Sequence, residues 1–170
     1  MNHHLRVITI NLCNEYPGKK DGLLTRWISI LNKTKGDIIF LQEMQSYNLE
    51  KLVSKLNMKI LDINNSDNTC VLINSYKLKI IDNKHIKLRS DTNKMKPIYV
   101  SCIHLTDIPS IVHHINGIPY KSSQIIPLDY SLDKVLKLCV KNRLGPIKEE
   151  LKNISKTDRA ILGGDFNEPS

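Results

Sequence analysis

Apolar positions along the chain fall into short continuous runs that alternate with stretches of helical spacing. Arg6–Leu12 reads as a strand with a lone amide, Asn11, inside its apolar run. Leu23, Leu24, Trp27, Ile28 and Leu31 then recur on one helical face, and Gly36 is a fitting C-terminal stop. Asp37–Glu43 is a second apolar strand, delivering Gln42 and Glu43 at its carboxyl end. Leu49, Leu52, Val53 and Leu56 predict another amphipathic helix. Strands are expected over Met58–Ile63, Thr69–Ile73, Leu78–Ile81 and Ile86–Leu88, with Asn64–Asn68 as a turn. Ile98–Ile103 forms a further strand that ends in His104. No element is expected over 106–131, where Pro109, Pro119 and Pro127 fall; a stretch this long is functional or disordered. Leu132, Val135, Leu136, Cys139 and Val140 mark a helix that Gly145-Pro146 ends or kinks, and Ile147, Leu151 and Ile154 continue the period. Arg159–Leu162 reads as a short buried strand, and Gly163-Gly164 as a sharp turn after it.

This alternation predicts an α/β fold. With 170 residues, 41% of them hydrophobic, the chain can bury a core and is expected to form one domain over 1–170. Lys and Arg number 25 against 17 acids, for a net charge of +8 spread evenly over both halves. That excess tilts the chain toward polyanionic partners without marking a nucleic-acid tail. Cys13, Cys70, Cys102 and Cys139 contain no C-x-x-C pair, so they read as reduced thiols, not as a zinc site or disulfide frame. No apolar run reaches membrane-spanning length and the N-terminus lacks a signal peptide's apolar core, so a cytoplasmic location is expected.

The candidate chemistry sits at strand ends. Asp165 and Asn167 lie two residues apart, so in an extended segment both side chains point the same way. An acid and an amide so placed suit one phosphate or one hard cation; they equally suit a turn with side-chain caps. Asn11, Glu43, His104 and the Asp165/Asn167 pair all fall at or near the ends of predicted strands, where ligand sites of α/β sheets collect. Each also has a plain structural reading: a satisfied core amide for Asn11, a solvated acid for Glu43, a strand-capping histidine for His104. Gln42 reads as structural, Asp107 as an ordinary loop acid. His3-His4 and His113-His114 are assigned nothing, and Lys84, Lys87, Arg89, Lys94 and Lys96 read as a solvated hairpin face.

An asparagine on the first strand, Gln42-Glu43 after the second, His104-Leu105 after a middle one and Gly164-Asp165-Phe166-Asn167 further on resemble the endonuclease/exonuclease/phosphatase (DNase I-like) superfamily in residue type and order. The resemblance implies the N-terminal portion of a two-sheet α/β sandwich that hydrolyses phosphoesters with Mg²⁺ or Mn²⁺. It makes Glu43 a metal ligand and gives Asn11 the placing of the metal or the phosphate. It further implies that His104 donates to the scissile phosphate, that Asp165 positions the attacking water, and that Asn167 contacts the phosphate.

The family pattern continues past "G-D-F-N" to a late Asp-His pair whose histidine is the general base, whereas no histidine follows His114 here. The expectation is therefore a C-terminally truncated phosphoesterase, weak or inactive alone. Its alternatives are a non-catalytic remnant or phosphate- or nucleic-acid-binding module, and one half of a split enzyme completed by another polypeptide. The choice among DNA, RNA, phospholipid, inositol phosphate and nucleotide as substrate stays open, because family members differ mainly in loops.

Overall fold

A computed structural model describes residues 4–12, 20–44, 46–65, 68–89, 96–105, 137, 140–157 and 159–166. The chain divides into two compact units: Met1–His104 with Lys156–Asp165, and Leu105–Ser155 with Phe166–Ser170.

In the first unit the order is β1 (Val7–Asn11), α1 (Lys20–Thr34), β2 (Ile38–Gln42), α2 (Ser46–Leu56), β3 (Lys59–Asn64), β4 (Thr69–Ile73), β5 (Leu78–Asp82), β6 (His85–Leu88), β7 (Ile98–His104) and β8 (Ala160–Asp165). The strands form two four-stranded mixed sheets, ordered β1-β2-β4-β3 and β5-β6-β7-β8. β1 runs parallel to β2, and β7 parallel to β8; the other neighbours are antiparallel.

Period-two alternation explains why β2 and β4 read as unbroken apolar runs. Ile38, Phe40, Val71 and Ile73 face the second sheet and pack with Leu78, Ile86, Ile98 and Val100. Ile39, Leu41, Cys70 and Leu72 face the other way, onto Leu24 and Leu31 of α1 and Leu49 and Leu52 of α2. The first sheet is thus covered on both faces, and the helices hold the faces that their 3.6-residue spacing predicts.

Two sequence expectations are corrected by packing. Gly36 does not supply the left-handed residue that ends α1; Lys35 does, at φ 51°. A Cβ at Gly36 would lie 2.7 Å from Ile8 Cδ1 and 3.0 Å from Ile39 Cγ1, so a larger residue there would displace those side chains. Nor does Gly163-Gly164 turn the chain after Leu162: β8 begins at Ala160 and runs through both glycines to Asp165. It is a half-buried strand, not a buried one, and among the described residues only β7 flanks it. Gly163 leaves space for the Phe40 ring, 2.4 Å from where a Cβ would stand, and Gly164 lies against the Ile103 carbonyl at φ 149°. An apolar sequence run signals a strand but not its neighbours, and here close approach selected glycine.

The expected stretch 106–131, with Asp107 and His113-His114, lies outside the described residues, as do Asn167, His3, Cys13, Lys94, Cys139 and all of 132–140 except Lys137 and Val140. In the second unit a π-helical turn, Val140–Leu144, leads into α3 (Gly145–Ile154). Pro146 stands in the first turn of α3, directly after the π-helical turn. The anticipated kink is thus a change of helix type. Arg143 Nη2 donates to the Phe166 carbonyl at 2.9 Å in the same unit. Among the described residues no helix is long and apolar enough to cross a membrane.

Both described cysteines are free thiols, Cys70 buried and Cys102 half-buried. Burial pushes Cys70 up to about 12 and Cys102 up to about 11. Their contribution to stability is therefore complete below the ordinary thiol value and is lost as pH rises toward those figures, because the unfolded chain releases the protons first. Denaturant unfolding should show stability falling above about pH 9, by at most about 1.4 kcal/mol per pH unit for each thiol. Cys70→Ala should flatten that slope; parallel slopes for the two proteins would count against the assignment.

Candidate active site at the sandwich end

The same alternation that builds the core carries polar side chains to one end of it. On β7, Val100 and Cys102 face the first sheet, and His104 continues that face at the strand's carboxyl end. Asp165 is the register partner of His104 across the parallel β7–β8 ladder, so the two side chains stand side by side. On β1, Ile8 and Ile10 pack toward the helices, which leaves Thr9 and Asn11 on the opposite face. Asn11 is the register partner of Gln42 in the parallel β1–β2 ladder. Both parallel pairs thus bring carboxyl ends together, one from each sheet.

Glu43 follows β2 in a left-handed backbone conformation, φ 52°. A non-glycine residue there carries steric strain on the order of 1 kcal/mol, and such outliers concentrate at functional positions. Asn11 Nδ2 donates to Glu43 Oε1 and to Asp165 Oδ2, each at 2.7 Å. Asn11 and Asp165 are 154 positions apart in sequence. His104 Nε2 lies 3.8 Å from Glu43 Oε1, with both side chains about one-fifth exposed. Glu43, His104 and Asp165 offer ligand atoms that all fall within 4.8 Å of one another.

Two carboxylates held this close repel unless a donor or cation stands between them. The Asn11 amide fills that place here, and a divalent cation suits the same geometry. Oxygen donors from Glu43 and Asp165, with the Asn11 side-chain amide between them, match a hard ion such as Mg²⁺ or Mn²⁺. The four expected residues Asn11, Glu43, His104 and Asp165 therefore meet at one place, open to solvent.

Beneath them lies a polar layer only partly foreseen from sequence. Gln42, 1% exposed, donates through Nε2 to Thr9 Oγ1 at 3.3 Å and to Cys102 Sγ at 3.2 Å. Thr9 Oγ1 donates in turn to the Gly164 carbonyl at 3.3 Å. These bonds join β1, β2, β7 and β8, the strands that carry the site. Gln42 is structural, as expected. Thr9 and Cys102, the latter expected only as a reduced thiol, each sit two residues before a site residue and so share its face.

No protein-family model matches this chain, and no curated protein does. Its fold does match solved structures. A humanized D. rerio TDP2 carrying 14 mutations is 14% identical with a TM-score of 0.58, over 98% of this chain and 63% of that one. TDP2 from C. elegans is 18% identical with a TM-score of 0.53, over 99% of this chain and 51% of that one. A selenomethionine form of the C. elegans protein is 16% identical with a TM-score of 0.52, over 97% of this chain and 48% of that one. The chain thus spans between about half and 63% of the solved structures it resembles. TDP2, tyrosyl-DNA phosphodiesterase 2, has the DNase I-like fold, and the described residues here form a partial sandwich of that fold.

Proposed function

We propose that the chain supplies the metal- and phosphate-contacting part of a divalent-metal-dependent phosphodiesterase site. The observation that carries this reading is the meeting of Glu43, His104 and Asp165 within 4.8 Å, with Asn11 bonded to both carboxylates. Glu43 and Asn11 would hold Mg²⁺ or Mn²⁺. When bound, that ion supplies Lewis-acid polarisation of a phosphoryl oxygen. His104 donates a hydrogen bond to a non-bridging phosphate oxygen, where charge grows in the transition state. Asp165 orients the attacking water through its carboxylate, and Asn11 keeps that carboxylate aimed. Asn167 is assigned to the phosphate because it follows Asp165 by two residues.

The fold neighbours are TDP2 structures, so a phosphodiester, with nucleic acid among the substrate classes, is the favoured substrate. A second reading, a phosphate-binding module without turnover, is favoured by His104 being the one imidazole that the described residues bring together with Glu43 and Asp165. A complementing polypeptide that brings an Asp-His pair would separate the two.

Titration of the chain with Mn²⁺, followed by water-proton relaxation, should show one weak site. Glu43→Gln should weaken it by about tenfold or more, since a hard ion with few carboxylates depends on each. Equal binding by both proteins would remove Glu43 from the site.

A further inference from the structure

The opposite end of β2 holds a second concave site. Asp37 precedes the strand and Glu43 follows it, so at about 3.3 Å per residue the two ends lie roughly 20 Å apart. Two cavities adjoin there and share Lys35 as a lining residue.

One cavity, about 270 Å³, has Ile39 and Met58 in its wall together with Asn32, Asn57, Asn74 and Tyr76. Tyr76 is 73% exposed, and its hydroxyl accepts from Asn57 Nδ2 at 3.1 Å. Asn74 Oδ1 accepts from the Tyr76 backbone N–H at 3.0 Å, which fixes the turn that presents the ring. An exposed ring, an apolar wall and several amides suit a flat heteroaromatic group with hydrogen-bonding edges.

The other cavity, about 430 Å³, is lined by His4, Arg6, Lys35 and Lys77 around Asp37. Asp37 is 2% exposed and already compensated: Lys77 Nζ lies 2.9 Å from Oδ1, and the Arg6 backbone N–H donates to Oδ2 at 3.0 Å. Arg6 and Lys35 are therefore positive charge in excess of the one acid. The Arg6 guanidinium is held by the Thr34 carbonyl at 2.6 Å, at the end of α1.

Lys35 joins the two cavities from a costly backbone position. Its φ of 51° is one that glycine or asparagine adopts more easily, and glycine occurs at the very next residue. A lysine kept in that conformation, where both cavities meet, points to use of its charge.

We propose that this double cleft binds a nucleotide unit, with the base against Tyr76 and the Asn32 and Asn57 amides and the phosphate against Lys35 and Arg6. The unit comes either from a free nucleoside monophosphate or from the end of a single-stranded polynucleotide. The cleft is independent of the metal-dependent site at the other end of the sheets.

Calorimetric titrations in EDTA buffer, which keeps divalent ions from the far site, would use AMP, GMP, CMP and UMP, a 5′-phosphorylated tetranucleotide, ribose 5-phosphate and inorganic phosphate. At least one mononucleotide or the tetranucleotide should bind, and ribose 5-phosphate should bind more weakly by about tenfold, the size of one base–aromatic stack. Tyr76→Ala should remove that preference. Lys35→Asn, which tolerates the left-handed backbone, should weaken every phosphorylated ligand while leaving the unfolding curve unchanged. A tetranucleotide tighter than all four mononucleotides would identify the polymer as the source, and equal affinities the free nucleotide. Silence with every nucleotide at millimolar concentration overturns the proposal. So does binding of inorganic phosphate as tight as that of nucleotides and indifferent to Tyr76→Ala.

Discussion

Hydrolysis of bis-p-nitrophenyl phosphate by the 170-residue chain with Mn²⁺ is expected to run near background and to rise continuously with pH. The reasoning starts from what the site holds. Asn11, Glu43, His104 and Asp165 provide cation ligands, a phosphate donor and a water-orienting carboxylate, and His104 stands beside Glu43 at 3.8 Å. Under the proposed roles His104 faces the phosphate, and the described residues bring no second imidazole to Glu43 and Asp165 to take the proton from water. Loss of a well-placed general base costs about 10²–10⁴-fold in rate. Hydroxide then replaces the base, which produces the climb with pH. Adding a polypeptide that ends a strand in Asp-His should restore rate and bend the profile toward neutrality. A brisk rate from the chain alone, with a bell-shaped optimum near neutral pH that vanishes in Asp165→Asn, would make His104 the base and overturn the assigned roles.

Gly164→Ala is expected to cost at least about 3 kcal/mol, enough to unfold a marginally stable unit. Its φ of 149° is strained for any residue with a side chain, and an added Cβ would stand 1.8 Å from the Ile103 carbonyl oxygen. That oxygen belongs to the neighbouring strand β7, so relief requires the β7–β8 ladder to part just where His104 and Asp165 are paired. Gly163→Ala should also destabilise, for a different reason: its Cβ would meet the ring of Phe40, which is fully buried. Phe40→Leu should therefore recover part of the Gly163→Ala loss and none of the Gly164→Ala loss, a coupling that a double-mutant cycle in urea would measure. Equal rescue of both, or an unperturbed Gly164→Ala protein, would show that β8 does not lie against β7 as described.

Local pattern alone placed β1 to β7 to within one residue at either end and found both helices of the first unit, because apolar period is written in neighbouring residues. Thr69–Ile73 coincides with β4, and the helical faces of Leu24–Leu31 and Leu49–Leu56 are those that meet the first sheet. Residue type and strand-end position also singled out Asn11, Glu43, His104 and Asp165. What the sequence did not determine is which strands lie side by side. The parallel registers that set Asn11 against Gln42 and His104 against Asp165 join distant segments, and they follow from two sheets burying a common face. The glycines before Asp165 look like a turn in one dimension, and only the Phe40 ring and the Ile103 carbonyl reveal them as close-packing positions. The left-handed backbone of Glu43 and the Thr9–Gln42–Cys102 layer beneath it likewise depend on contacts between strands. Sequence fixes what each segment prefers by itself; burial shared between the two sheets decides where its side chains meet.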